Sequence, residues 1–249
     1  MATINDHLVL IGGKSATGKS VSLMNIKDPE GVLYLNCESG KRLPFPAKFE
    51  QHTITEPTQV FEAFAYAETN DKIHTIAVDS LTYLLDMYES LHVLTSANGM
   101  KAWGEFAQYF KRLMQQEVAK STKSVIFTAH TADVYNETEM VMETKVPVKG
   151  SLKNNGIESY YSCILSTKKL PIKALEGYKN DLLIITDEEA ALGLKYVFQT
   201  RVTTATVNER MRGPMGLWSV QETYIDNDTQ KVLDRLNTYY GKATKKAAA

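Results

Sequence analysis

Cysteine is nearly absent, with only Cys37 and Cys163 in 249 residues. Both sit inside apolar runs, Leu33-Tyr34-Leu35-Asn36-Cys37 and Ser162-Cys163-Ile164-Leu165. They therefore read as small buried hydrophobes, not a disulfide or metal pair, and a reducing compartment fits. An excess of one charge is also missing. The formal net charge is −1, so nothing global draws nucleic acid, and any polyanion site has to be a local patch. No stretch approaches the roughly 20 apolar residues of a membrane span. The start Met1-Ala2-Thr3-Ile4-Asn5-Asp6 has no basic residues leading into an apolar core, as a secretory leader would. These absences predict a cytoplasmic protein with no membrane partner. Internal repeats, low-complexity linkers and domain boundaries are also missing. One domain is expected over residues 1–241, with a disordered basic tail at 242–249.

What is present is enough apolar residue, 43% of the chain, to bury a core without disulfides or metal. Short apolar runs at 7–11, 31–36, 72–78, 124–128 and 160–166 alternate with segments of helical spacing. Val60, Phe61, Phe64 and Ala67 form one such stripe. Leu81, Leu84, Leu85, Tyr88 and Leu91 form a second, and Trp103, Phe106, Phe110, Leu113 and Met114 a third. These stripes are core faces. The alternation predicts βαβ units and an α/β fold with a mainly parallel sheet flanked by helices. Beyond Thr167 the pattern changes. Runs 182–186 and 194–201 flank the acidic Asp187-Glu188-Glu189 and predict a C-terminal antiparallel hairpin. A last helix is expected from about Thr229 to Tyr240, with a left-handed cap at Gly241.

The pattern G-x-x-x-x-G-K-[ST] occurs at Gly13-Lys14-Ser15-Ala16-Thr17-Gly18-Lys19-Ser20. An apolar strand candidate precedes it, and residues 21–26, starting at Val21, can continue as a helix. In that context glycines let successive backbone N–H groups turn toward phosphates. Lys19 is placed to reach the β and γ phosphates of ATP, and the Ser20 hydroxyl to bind Mg²⁺. Such a site also needs a carboxylate at the end of a separate strand to hold the metal's water shell. Asp79, closing Ile76-Ala77-Val78, supplies one. It reads equally as a helix N-cap, and both roles are compatible. No acidic residue follows Asp79, which directs attention to Glu38, just past the second strand candidate.

In order along the chain, the phosphate loop, Leu33 to Leu43 and Ile76 to Leu81 resemble the RecA-like recombinase family. The resemblance implies a P-loop ATPase using ATP and Mg²⁺, with Asp79 and Ser20 on the metal and Glu38 polarising the attacking water. It also implies that the strand at 124–128 lies between those carrying Lys19 and Asp79, with a γ-phosphate sensor at its tip. That position holds Thr128 and His130 where the family commonly has glutamine. The segment 131–155 then corresponds to a mobile DNA-binding loop. Tyr135-Asn136-Glu137 predicts the turn of a β-ribbon whose second arm is 140–148. Lys145, Lys149 and Lys153 would track phosphates while Tyr135 stacks on a base, although Glu137, Glu139 and Glu143 oppose this. Arg210 and Arg212 are candidates for a finger reaching a neighbour's ATP. Size and layout are similar to the compact phage RecA-like ATPases of recombination, repair and single-strand annealing. Such a protein would act in the host cytoplasm as a homo-oligomeric ring or filament on single-stranded DNA, with a single-strand DNA-binding protein as a possible partner. A small-molecule kinase, a helicase or motor domain, and a nucleotide-gated binding module are the alternatives. The arginine-rich lid a kinase predicts is short here, limited to Arg210 and Arg212.

Overall fold

The computed structural model describes residues 5–247. In chain order its elements are β1 (Leu8–Gly13), β2 (Val32–Asn36), β3 (Glu50–Thr53), α1 (Gln59–Thr69), β4 (Thr75–Asp79), α2 (Leu81–Tyr88), α3 (Gly99–Arg112) and β5 (Ser124–His130). Then follow β6 (Ala132–Asn136), β7 (Val141–Lys145), the one-turn α4 (Leu152–Asn155), β8 (Cys163–Pro171), α5 (Asp187–Leu192), β9 (Leu194–Gln199), β10 (Tyr224–Asp226) and α6 (Thr229–Ala247). The eight-stranded sheet runs β10-β9-β8-β1-β5-β4-β2-β3, and β6 and β7 form a separate ribbon. β8, β1, β5, β4, β2 and β3 are parallel, while β9 and β10 add antiparallel.

Strands β1, β2 and β4 are buried along their whole length. A parallel sheet covered on both faces needs such unbroken apolar runs. Successive side chains then serve different cores. Leu8 and Leu10 pack with Phe64, Phe106 and Phe110 of α1 and α3, whereas Val9 and Ile11 pack with Leu23, Leu233 and Leu236 on the α6 side. Helices α2 and α3 form the crossover between the adjacent parallel strands β4 and β5, which a parallel connection requires. Cys37 and Cys163 are buried and unpaired, as their surroundings predict. No helix among the described residues is long and apolar enough to cross a membrane.

Several expectations are corrected. The helix expected over 21–26 is a single 3-10 turn, Val21–Leu23. The Ser22 hydroxyl donates to the Lys19 carbonyl at 2.6 Å, competing with helix continuation. Downstream, Asp28 is left-handed at φ 47° ahead of Pro29, a position where proline disfavours helical backbone. Residues 182–186 are not a strand. Thr186 caps α5 in a reciprocal capping box with Glu189, and the acidic run favours a helix's first turn over a hairpin turn. The C-terminal hairpin is present, but β9 pairs with β10 and β8. Helix α6 runs through Gly241 instead of stopping there. A glycine inside a helix costs only about 1 kcal/mol, and helix-forming Lys and Ala follow it. The side chains of the basic tail from Lys242 onward, and residues 248 and 249 altogether, lie outside the described residues.

Phe127 on β5 is fully buried, edge-on to Tyr161 with ring centroids 5.7 Å apart. Phe127→Ala should cost about 3–5 kcal/mol of unfolding free energy in urea titration. A loss under about 1 kcal/mol would mean that this face of the sheet is not tightly packed.

Candidate nucleotide site

The sheet order decides where the site forms. β5 lies between β1 and β4, so the C-terminal ends of three neighbouring strands present the phosphate loop, His130 and Asp79 together. The loop leaves β1 at Gly13. A Cβ on Gly13 would run into Thr167 Oγ1 and lie 2.6 Å from Thr17 Oγ1. Gly18 has φ +99°, and a Cβ there would sit 2.6 Å from Asn227 Nδ2, so the second glycine is required by both backbone and space. Asn227 Nδ2 donates to the Gly18 carbonyl at 2.8 Å, fastening the loop to the segment after β10.

Lys19 is only 7% exposed. Its Nζ donates to the carbonyls of Gly13 (3.1 Å) and Lys14 (2.9 Å) and lies 3.5 Å from His130 Nδ1. Burial lowers its pKa, Asp79 and Glu38 pull it back up, and Lys41 lowers it. The ammonium is thus stabilised electrostatically by two carboxylates in spite of its burial. Asp79, 2% exposed, accepts from Tyr34 OH at 2.8 Å and from the Thr128 hydroxyl. Burial first, and Asp79 second, push the Tyr34 hydroxyl far above its ordinary pKa, so it stays a donor. Beside Asp79, the Ser80 hydroxyl is fully buried without a hydrogen-bond partner.

This donor set fits magnesium. It offers a loop hydroxyl on Ser20 and a buried carboxylate on Asp79, and the described residues hold no cluster of three or more His, Cys, Asp or Glu side chains. Magnesium in nucleotide sites is held through one or two carboxylates, water and phosphate oxygens, not an all-protein cage. When bound, it would neutralise charge on the β and γ phosphate oxygens.

Glu38 lies just beyond β2 with its side chain 10% exposed. Oε2 is 2.8 Å from Lys41 Nζ and Oε1 is 3.5 Å from His130 Nε2. Burial pushes its carboxyl up, but Lys41 and His130 together outweigh burial and hold it below the usual value. The imidazole therefore lies between Lys19 and Glu38, with Nδ1 toward Lys19 and Nε2 toward Glu38. Burial and the Lys19 charge lower the His130 pKa, and Glu38 opposes them.

Lys19, Glu38 and His130 line one wall of a cleft of about 730 Å³ that also includes Ser15, Ala16, Ser20, Val21 and Lys41, while Asp79 lies buried behind them and is not among its lining residues. The opposite wall comes from the late part of the chain, with Glu189, Lys195, Tyr196 and Asp226–Asp228. Lys195 is buried there between Glu189 (2.7 Å) and Asp226 (3.1 Å). A cleft of this size with a few convergent polar groups is what a small-molecule site requires.

The profile of the AAA domain family matches residues 6–189, most of the chain. The chain belongs to the AAA domain family. No curated protein matches it. The AAA domain is a nucleotide-binding P-loop ATPase domain, and the match takes in the phosphate loop, Glu38, Asp79 and His130 but ends before Arg210. The far wall from Lys195 onward therefore lies outside the matched region.

The remaining candidates are not among the residues that line the cleft. Tyr135 is 52% exposed on β6 of the ribbon. The expected ribbon forms, but Tyr135 and Asn136 are paired within β6, the turn falls at 137–140, and the second arm is Val141–Lys145, shorter than the expected 140–148. Lys145 is engaged by Glu143 at 2.8 Å and Lys149 by Glu89 at 2.8 Å, while Lys153 is exposed. Arg210 is held by Glu143 at 3.0 Å and faces Glu158 at 3.9 Å. Arg212 lines a separate groove with Arg201 and Met215. Sequence reasoning missed Tyr34, Lys41 and Asn227. Only Lys41 left a signal, its three-residue spacing from Glu38 across a Gly-containing turn.

His130 should titrate below its usual value near 6.5 in an NMR pH series, and Glu38→Gln should lower it further, since Glu38, ahead of Asp79, raises it. An upward shift in that variant would contradict the contact. Because folding keeps His130 neutral to lower pH than the unfolded chain does, the unfolded state binds more protons there. Stability should therefore fall as pH drops from the unfolded value through the folded one.

Proposed function

We propose that this AAA domain hydrolyses ATP with Glu38 as the water-orienting group, and that His130 relays the phosphate state to a ribbon that engages single-stranded DNA. The observation that carries this reading is the imidazole between Lys19 and Glu38, at the last residue of β5 and one residue before the ribbon segment begins. Lys19 and the loop amides hold the β and γ phosphates, and Ser20 and Asp79 hold the metal's side of the site. Glu38, kept ionised by Lys41, orients water toward the γ phosphate; its depressed pKa suits polarising that water more than retaining its proton. Loss of the γ phosphate removes a partner from Lys19 and so changes the field at His130 Nδ1. His130 N also donates to Thr82 Oγ1 at 2.9 Å, which anchors the backbone from which the ribbon departs.

The DNA reading draws on that position and on the ribbon's exposed Tyr135, with Lys149 and Lys153 beyond it. Phosphates would have to displace Glu89 from Lys149, so binding should be strongly salt-dependent. A homo-oligomer, ring or filament, would bring an arginine to a neighbour's cleft. Arg212 is the better candidate, because Glu143 already occupies Arg210. Recombination or single-strand annealing, alongside a single-strand DNA-binding protein, is the setting that this combination suits.

ATP turnover measured with and without single-stranded DNA tests the proposal, with stimulation expected; turnover indifferent to DNA would remove the DNA half of it. Lys19→Ala should weaken ATP binding by roughly a hundredfold or more, since it deletes a charge-assisted contact to phosphate. Glu38→Gln should retain binding and cut hydrolysis by about a hundredfold or more. Full turnover in Glu38→Gln would place the water-orienting group elsewhere.

A further inference from the structure

The ribbon is fastened to the phosphate loop by a side chain that no motif marks. Lys14, the second residue of the loop, places Nζ 2.7 Å from Asp133 Oδ2 on β6. Asp133 Oδ1 accepts from Thr144 Oγ1 at 2.7 Å, and Asp133 and Thr144 are cross-strand partners. One carboxylate thus joins the loop to both arms of the ribbon. Thr131 N, at the ribbon's root, donates at 3.1 Å to the same Gly13 carbonyl that accepts from Lys19. The second arm is held elsewhere: Thr144 N donates to Asn208 O (3.1 Å) and Arg210 N to Thr144 O (3.0 Å). Next to this join, Lys168 of β8 pairs with Glu209.

We propose that Asp133 is a positioning residue that competes with the polyphosphate of a bound nucleotide for Lys14, so that nucleotide binding unfastens the first arm of the ribbon. This rests on the reading that the cleft holds a nucleoside triphosphate. Lys14 and Asp133 are 62% and 42% exposed, and an exposed pair is worth only about 0.2–1 kcal/mol. Lys14 does not itself line the cleft, but its carbonyl accepts from Lys19 Nζ at 2.9 Å, so its flexible stem starts beside the phosphate site, where a triphosphate would offer several negative charges against a single carboxylate. The pair is therefore strong enough to set the ribbon's resting position and weak enough to yield. The root at Thr131 and the second arm at Thr144 keep their backbone bonds when it does, so the first arm loosens from the phosphate loop without detaching.

Coupling of this kind is reciprocal. If Asp133 competes for Lys14, removing its charge must tighten nucleotide binding by the factor that the pair was worth, about two- to fivefold. The test uses the full chain as wild type, Asp133→Asn and Asp133→Glu. It combines titration with the magnesium complex of a slowly hydrolysed ATP analogue and hydrogen exchange at ribbon amides 132–145. In wild type the analogue should speed ribbon exchange. Asp133→Asn should bind the analogue about two- to fivefold more tightly and exchange quickly with or without it, and Asp133→Glu, which keeps the charge, should return both readouts to wild-type behaviour. Unchanged or weaker binding in Asp133→Asn, ribbon exchange in wild type that ignores the analogue, or a Glu variant that behaves like Asn would overturn the proposal while leaving nucleotide binding intact. A wild-type chain that fails to bind the analogue would overturn the nucleotide reading and this proposal together.

Discussion

A buried ammonium is the constraint around which the site is built. Removing Lys19 from water is unfavourable unless its charge is met by oriented dipoles and anions. The fold answers with two carbonyls of the lysine's own loop and with Asp79 and Glu38 within electrostatic reach. The loop carbonyls, Glu38 and Asp79 lie far apart in sequence. They meet because the sheet places β5 between β1 and β4, so that the ends of separate strands converge. A different strand order would leave the same residues on the same strands without a site.

The consequences run outward from that ammonium. After burial, its charge is what lowers the His130 pKa, and His130 in turn contacts Glu38. Tyr34 and Thr128 spend their hydroxyls on Asp79, which fixes the carboxylate's orientation. The phosphate loop itself is gripped from the far side by Asn227, and the second cleft wall comes from β9 and the turn after β10. The AAA domain match ends at residue 189, so the matched region supplies the loop side of the cleft and the late segment contributes Lys195, Tyr196 and Asp226–Asp228.

Much of this was legible in the sequence, for physical reasons that differ by element. Strands buried on both faces must be continuously apolar, and β1, β2, β4 and β5 were visible as such runs. The phosphate loop was legible because its glycines and lysine answer to backbone geometry and charge within eight consecutive residues. Glu38 and Asp79 were legible once ordered relative to that loop. The helix after Ser20 was misread because the Ser22 hydroxyl and the approach to Pro29 are local effects that apolar spacing does not report. The segment 182–186 was misread because an acidic run serves a helix N-terminus as readily as a turn, and only the Thr186–Glu189 pair decides between them. Tyr34, Asn227 and Asp133 left no signal, since their roles come from contacts 45, 209 and 119 residues away in the chain.

The most direct check is calorimetric titration of a slowly hydrolysed ATP analogue into wild type and Asp79→Asn, each with magnesium and with EDTA. A carboxylate that anchors the metal from its own strand predicts that magnesium tightens binding in wild type. In Asp79→Asn that tightening should largely vanish, while the metal-free affinity should be kept or raised. Equal magnesium dependence in the two proteins would contradict a shared site for Lys19, Ser20 and Asp79.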